Sequence, residues 1–194
     1  MVNSLSNRYC YGTYKTPICN FGEKAKDFNL KSVENKKITL ENVRGKNGTL
    51  IMFICNHCPY VKAIIKDLVS DVKFLEDLGI KSAGIMSNDV KNYPDDSFEN
   101  MISFSKLHDF SFPYLIDETQ DVAKKYGAVC TPDFFGYNKN LELQYRGRIR
   151  ELKDLKPVRQ GDSDLKVAMK LVAETGLGPK NQIPSMGCNI KWFK

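Results

Sequence analysis

The segment MFICNHCPYVKAII, residues 52–65, places two cysteines three positions apart with a histidine between them. Cys55 and Cys58 form a C-x-x-C motif, which in a reducing compartment is more often redox-active or metal-binding than structural. A cysteine reacts as its thiolate, so the sulfur whose pKa is lowered is the candidate nucleophile. His57 is a candidate to assist, because a protonated imidazole beside Cys58 would stabilise the thiolate.

The elements on either side of the motif indicate which sulfur that is. Residues 49–54, TLIMFI, are a continuous apolar run and predict a central strand buried on both faces. Apolar residues then recur at three- and four-residue steps, with Pro59 suited to the first helical position and Gly79 to the end, so we expect a helix over 59–78. Cys58 would lie at the N-terminus of this helix, where free N–H groups and the helix dipole can lower a thiol pKa from about 8.5 into the range of about 3.5 to 7.5.

Strand and helix patterns alternate along the rest of the chain. We expect strands at about 28–33, 38–43 (a strand or a helical turn), 79–87 and 112–117, helices at about 98–108, 120–126 and 163–174, and a hairpin that joins 128–137 to 141–147. This order predicts a mixed α/β sheet with right-handed crossovers. We expect an N-terminal arm (1–16), one domain (17–175) and a C-terminal tail (176–194) packed on that domain.

Composition argues against two classes of protein. The 29 Lys and Arg residues exceed the 23 Asp and Glu residues, but they are scattered along amphipathic segments, so we expect no nucleic-acid partner. The first residues contain no apolar signal-peptide core, and nowhere do about 18 apolar residues run together, so we expect a cytoplasmic protein without a membrane span. Most of the six cysteines, at positions 10, 19, 55, 58, 130 and 188, should then be thiols.

The order of elements in this chain resembles the thioredoxin-fold superfamily. A strand is followed by a cysteine and a helix, and the segment CTPD comes much later. Residues 17–194 resemble the peroxiredoxin-like branch of the AhpC/TSA (redoxin) family. Three segments carry this resemblance: PICNFGEKAKDFNLKSVENKKITLENVRGKNGTLIMFICNHCPYVKA, YGAVCTPDFFGYNKNLELQYRGRI and GCNIKWFK. The resemblance implies a thioredoxin-like three-layer α/β fold, in which helices flank a mixed central sheet, with an N-terminal strand extension. The chain departs from the peroxiredoxin motif P-x-x-x-T-x-x-C, because Cys55 takes the Thr position and the Pro is missing.

The resemblance also implies a substrate groove. The proline that opens a strand in this superfamily is typically cis and packs against the active cysteine. Thr131 and Pro132 are therefore expected to line the groove, where the backbone of Thr131 can pair with an extended peptide or thiol substrate. Cys130 would lie near the same surface. Redoxins often dimerise, so the resemblance leaves a homodimer open.

These observations predict a thiol-disulfide oxidoreductase. We expect Cys58 to attack a disulfide of a protein or a low-molecular-weight substrate, and Cys55 to resolve the mixed disulfide. Cys130 is a further candidate for resolution, and Cys188 becomes one only if the tail folds back. An external dithiol would then reduce the protein again, without a cofactor or a metal.

Two other functions stay open from the sequence. In a thiol-dependent peroxidase, Cys58 would be oxidised to a sulfenic acid that condenses with a second thiol. In a non-catalytic thiol or metal-binding module, Cys55, His57, Cys58 and Cys130 would supply the ligands. The metal alternative is weakened because the sequence lacks a second paired motif at a zinc-site spacing.

Overall fold

The computed structural model describes residues 13–16 and 21–194. In these two ranges the strands are β1 (Thr13–Lys15), β2 (Asn29–Ser32), β3 (Lys37–Thr39), β4 (Gly48–Phe53), β5 (Ile80–Met86), β6 (Tyr114–Ile116), β7 (Cys130–Thr131), β8 (Asp133–Asn138), β9 (Leu143–Tyr145), β10 (Leu152–Lys153), β11 (Lys156–Pro157) and β12 (Met186–Asn189). The helices are α1 (Pro59–Asp77), α2 (Phe98–Leu107), α3 (Asp121–Tyr126) and α4 (Asp164–Thr175), with 3-10 turns at Glu41–Val43 and Pro94–Asp96. None of the helices in this described part of the chain is long and apolar enough to cross a membrane.

A seven-stranded mixed sheet forms the centre of the fold, in the order β3-β2-β6-β5-β4-β8-β9. β4, β5 and β6 are parallel to one another, whereas β8 pairs antiparallel with β4 and β2 pairs antiparallel with β6. The crossover from β4 to β5 is made by α1, as the alternating strand and helix patterns predict. This arrangement puts the N-terminus of α1 at the C-terminal end of the parallel strands, next to the end of β4.

Alternate residues of β4 build the core on both faces of the sheet. Leu50 and Met52 pack in a cluster that contains the apolar residues of α1 and α4. Ile51 and Phe53 pack in a second cluster, which contains those of α3. The strand is buried along its whole length because helices cover both faces. The predicted three-layer thioredoxin-like architecture is confirmed.

A smaller antiparallel sheet, in the order β1-β12-β7, joins both ends of the described chain to the domain. The tail strand β12 lies between β1 and β7, with Cys188 opposite Thr131 in the register. The peptide bond between Thr131 and Pro132 is cis, as the resemblance implies. The tail therefore crosses the fold directly beside the loop that carries the cis proline.

Most predicted elements lie within two residues of their observed bounds, and three regions differ. The segment 38–43 combines both alternatives, because β3 is followed by a 3-10 turn. The short hairpin of β10 and β11 and the tail strand β12 were not predicted. The boundaries proposed at 16/17 and 175/176 stay predictions. Cys10 and Cys19 lie outside the described residues.

Candidate active site

Cys58 lies at the N-terminus of α1, as the sequence predicts. It is the N-cap residue, Pro59 follows at the first helical position, and the N–H of Lys62 donates to the Cys58 carbonyl oxygen at 3.0 Å. The Cys58 side chain is fully buried, with an exposed fraction of 0%. Its sulfur lies 3.1 Å from the Thr131 carbonyl oxygen and 3.0 Å from the Cys188 sulfur. The candidate nucleophile thus contacts both the loop of the cis proline and the tail.

The surroundings of Cys58 favour its thiolate. Burial alone raises the pKa of this thiol, but hydrogen bonds from the Cys188 and Cys55 thiols and from the N–H groups of Val61 and Cys188 outweigh burial and lower the pKa well below its ordinary value. The sulfur makes no side-chain capping hydrogen bond of standard geometry, so the thiol donors contribute more than the helix N–H groups. The Thr131 carbonyl oxygen acts in the opposite direction, because it accepts a hydrogen bond only from the protonated thiol. Because several donors and one acceptor act on the Cys58 sulfur, its thiolate is favoured over its thiol.

Cys188 reaches the site because the tail folds back. The pairing of β12 with β7 aligns Cys188 with Thr131, and this register directs the Cys188 sulfur at Cys58. The pKa of the Cys188 thiol is raised, first by its hydrogen bond to Cys58 and then by burial. Cys188 is therefore the proton-bearing partner of the pair.

Cys55 also contacts the cis-proline loop, because its sulfur is 3.3 Å from the Thr131 hydroxyl oxygen. Burial raises the pKa of Cys55 well above its ordinary value, and its hydrogen bond to Cys58 and the charge of Asp96 raise it further. Cys55 is thus held as a thiol that donates toward Cys58. Its predicted role as the resolving thiol is not tested by this geometry and stays a prediction.

A buried carboxylate fixes the loop between the two cysteines. Asp96 Oδ1 accepts the backbone N–H groups of Asn56 at 2.8 Å and His57 at 3.2 Å, while Oδ2 lies 2.5 Å from His57 Nδ1 and 2.7 Å from Asn88 Nδ2. The Asp96 side chain has an exposed fraction of 0%. The loop from Cys55 to Cys58 is thereby tied to the 3-10 turn at Pro94–Asp96. The predicted assistance of His57 to the thiolate stays a prediction.

A second buried carboxylate supports the cis-proline loop. Asp133 accepts hydrogen bonds from the Arg146 guanidinium at 3.1 and 3.5 Å, and Arg146 also donates to the Gly127 carbonyl oxygen at 2.7 Å. Burial raises the pKa of Asp133, and Arg146 opposes that shift. Cys130, two residues before the proline, contacts the Pro132 carbonyl oxygen at 3.5 Å, and burial raises its pKa. The predicted roles of Thr131, Pro132 and Cys130 in a substrate groove stay predictions. In the described part of the chain, Cys130 makes no hydrogen bond to Cys58.

Only two of the four metal ligands suggested by the sequence, Cys55 and His57, belong to the cluster of possible ligands that the fold brings together. Cys55, His57 and Asp96 offer ligand atoms within 4.8 Å of one another. Asp96 was not among the predicted ligands, and both of its oxygens accept hydrogen bonds from the loop. A cation at this place would have to displace those bonds. The cluster is therefore accounted for by its hydrogen bonds alone.

A cavity of about 270 Å³ opens beside the site. Tyr60 and Ile64 from α1 line one side, Pro132 lies at its base, and the tail residues Ile183 and Met186 form another wall. The cavity is thus bordered by the cis proline and by the tail that carries Cys188, and Cys58 does not line it.

Several residues of the site carry little or no signal in the sequence. Asp96 is the second of two consecutive aspartates, and nothing local distinguishes it from the exposed Asp95. Arg146 resembles a solvated arginine in the sequence but is buried. The closing segment GCN offers a weak signal for Cys188, because its small residues suit a close backbone approach.

Comparisons with known proteins agree with this architecture. A model described as the AhpC/TSA family matches residues 21–152, more than half of the chain. No curated protein matches the chain. The chain is similar to an uncharacterized conserved protein from Geobacillus kaustophilus, with 37% identity, a TM-score of 0.89, and coverage of 94% of this chain and 97% of the other.

Two more distant structures share the fold alone. One is the thioredoxin domain of a thiol-disulfide oxidoreductase from Bacteroides vulgatus, with 14% identity, a TM-score of 0.56, and coverage of 66% of this chain and 89% of the other. The other is the peroxidoxin BcpB from Mycobacterium tuberculosis, with 15% identity, a TM-score of 0.53, and coverage of 63% and 81%. The family match, the thioredoxin-like fold and the thiol site agree, and the chain belongs to the AhpC/TSA family.

Proposed function

We propose that this protein is a thiol-disulfide oxidoreductase in which Cys58 is the nucleophile. One observation carries the proposal: the Cys58 sulfur lies at the N-terminus of α1, 3.0 Å from the Cys188 sulfur and 3.1 Å from the carbonyl oxygen that precedes the cis proline. Hydrogen bonds to the thiolate lower the Cys58 pKa, in agreement with this geometry. A thiolate that also has a second thiol 3.0 Å away has both parts that disulfide exchange requires. The AhpC/TSA family membership supports a redox role.

The reaction conserves atoms and electrons. The Cys58 thiolate attacks one sulfur of the substrate disulfide, a mixed disulfide forms, and the other substrate sulfur leaves as a thiolate that takes up a proton. A second protein thiol then attacks the Cys58 sulfur and releases the first substrate sulfur as a thiol. The substrate gains two electrons, the protein is left with one disulfide, and an external dithiol reduces it.

The site favours disulfides over peroxides as substrates. The sequence lacks the Thr and Pro of the peroxiredoxin motif, and Cys55 stands at the Thr position. Cys55 contacts the Thr131 hydroxyl group at 3.3 Å, so the position that would orient a peroxide is occupied by a thiol. The Cys58 sulfur, with the thiols of Cys55 and Cys188 as neighbours, is better arranged for disulfide exchange than for peroxide reduction.

A single-turnover experiment tests the proposal. Reduced protein, freed of reductant, is mixed with glutathione disulfide in one sample and with hydrogen peroxide in another, and substrate loss is followed. We expect wild type and Cys10→Ser, a control that also lacks one thiol, to consume about one disulfide per chain, and Cys58→Ser to consume none. Fast loss of peroxide at Cys58 without disulfide turnover would establish a peroxidase, and inertness toward both would establish a non-catalytic module.

A further inference from the structure

The C-terminal strand occupies the edge beside the cis proline that a substrate would need. β12 pairs antiparallel with β7, and Cys188 lies opposite Thr131. An extended polypeptide bound at this edge would place a cysteine in the same position. The tail thus presents its own thiol to Cys58 in the manner of a bound substrate.

The tail is fixed on both sides of Cys188. Before it, the Ser185 hydroxyl group donates to the Pro132 carbonyl oxygen at 2.7 Å. After it, the Lys191 N–H donates to Asn88 Oδ1 at 2.8 Å, and Gln120 Nε2 donates to the Lys191 carbonyl oxygen at 2.8 Å. These bonds reach three separate parts of the domain, so they define the position of the strand.

The tail packs so closely against Thr131 that no further group fits between them. Gly187 lies so close to β7 that a Cβ atom there would be 2.1 Å from the Thr131 carbonyl oxygen. The Cys58 sulfur beneath it has no exposed surface. An external disulfide therefore reaches Cys58 only after the strand has moved away from Thr131.

We infer that Cys188 is the thiol that resolves the Cys58 mixed disulfide, and that β12 leaves Thr131 to admit the substrate and returns to complete the reaction. This inference rests on the proposed function, in which Cys58 is the nucleophile. In the resolving step the Cys188 sulfur forms a bond to the Cys58 sulfur, the bond between Cys58 and the substrate breaks, and the substrate leaves as a thiol with the proton of Cys188. The sulfurs are 3.0 Å apart in the closed form, and a disulfide bond of about 2.05 Å needs an approach of roughly 1 Å.

The electrostatics of the two candidate thiols favour Cys188 over Cys55. The pKa of Cys188 is raised first by its hydrogen bond to Cys58, which is lost once Cys58 is part of a mixed disulfide. The interaction of Cys55 with Cys58 also raises the pKa of Cys55, but the first cause is burial, which does not depend on the state of Cys58. In the mixed disulfide Cys188 thus loses the largest cause of its raised pKa, whereas Cys55 keeps its largest cause, and this difference favours Cys188 as the attacking thiolate.

Trapping the mixed disulfide tests the assignment. Reduced protein is treated with 5,5′-dithiobis(2-nitrobenzoate), and peptide mass spectrometry follows the thionitrobenzoate adduct on Cys58. In wild type we expect the adduct to be replaced by a Cys58–Cys188 disulfide, whereas in Cys188→Ser it should persist at least about tenfold longer. Persistence in Cys55→Ser but not in Cys188→Ser would overturn the inference and assign resolution to Cys55. If wild type, Cys188→Ser and Cys55→Ser all showed neither an adduct nor a disulfide at Cys58, the proposed function would be overturned instead.

A variant that keeps every thiol tests the movement of the strand. Gly187→Ala should push β12 away from Thr131, and circular dichroism would establish that the variant folds. We expect iodoacetamide to alkylate Cys58 at least about tenfold faster than in wild type, because the thiol becomes accessible. Lys180→Ala, at an exposed tail position, is the control and should match wild type. A folded Gly187→Ala variant with the wild-type alkylation rate would show that β12 does not control access.

Discussion

His57 and Asp96 form a buried pair, in which His57 Nδ1 lies 2.5 Å from Asp96 Oδ2. Asp96 Oδ2 also accepts a hydrogen bond from Asn88, and the other carboxylate oxygen accepts two backbone N–H groups of the cysteine loop. The pair is therefore one part of a larger clamp. Its position in the fold determines where the backbone of residues 55–58 runs, and hence how Cys58 enters α1.

Replacing Asp96 by Asn should loosen this clamp. The amide can offer one acceptor oxygen, but its NH₂ group would face the donors of His57 or Asn88. We expect Asp96→Asn to lower the free energy of unfolding by about 2 kcal/mol or more, because buried donors lose their acceptor. Urea unfolding measures this change, with Asp95→Asn as the exposed neighbouring control. Equal stability of the two variants would contradict the role assigned to Asp96.

Local patterns were sufficient for α1 and β4 but not for the site as a whole. The run at 49–54 and the helical spacing after Pro59 are signals that any short window contains. Cys58 and Cys188 are 130 residues apart, and their contact depends on the register of a short strand that contains glycine and asparagine. Such a strand forms because the edge of β7 offers partners, and that edge exists only in the folded domain.

The ion pair between Asp133 and Arg146 should matter more than an exposed pair. Arg146→Ala would leave the fully buried Asp133 carboxylate without its cation, and we expect a loss of roughly 3–5 kcal/mol of stability. Arg44→Ala, which removes the exposed partner of Glu41, should cost less than about 1 kcal/mol. Thermal and urea unfolding compare the two variants. A small effect of Arg146→Ala would mean that water or another group replaces the guanidinium.

The lowered pKa of Cys58 should appear in the pH dependence of its alkylation. In wild type we expect the iodoacetamide rate at Cys58, although slow because the sulfur is buried, to be nearly constant from about pH 6 to 9, since the thiolate is already formed. Cys188→Ala should move the midpoint to higher pH, because the strongest hydrogen-bond donor to the thiolate is lost. Peptide mass spectrometry assigns the rates to individual cysteines. A rate that rises about tenfold per pH unit up to pH 8 would contradict a lowered pKa.

Asp71 links α1 to α4 and should make stability depend on pH in an unusual direction. The Ser163 hydroxyl group, which caps α4, donates to Asp71 Oδ2 at 2.5 Å, and burial raises the pKa of Asp71 to about 6. Between the ordinary pKa of an aspartate and this raised pKa, the folded state binds a proton that the unfolded state has released. The contribution of Asp71 to the free energy of unfolding is therefore fully present below about pH 4 and is lost as the pH rises through 6.

In Asp71→Asn the amide oxygen can still accept the Ser163 hydroxyl, and the cost of burying a charge disappears. We expect the variant to gain up to about 3 kcal/mol relative to wild type between pH 4 and pH 7, measured by urea unfolding, with the exposed Asp77→Asn as control. A difference between Asp71→Asn and wild type that does not change with pH would mean that the Asp71 pKa is not raised.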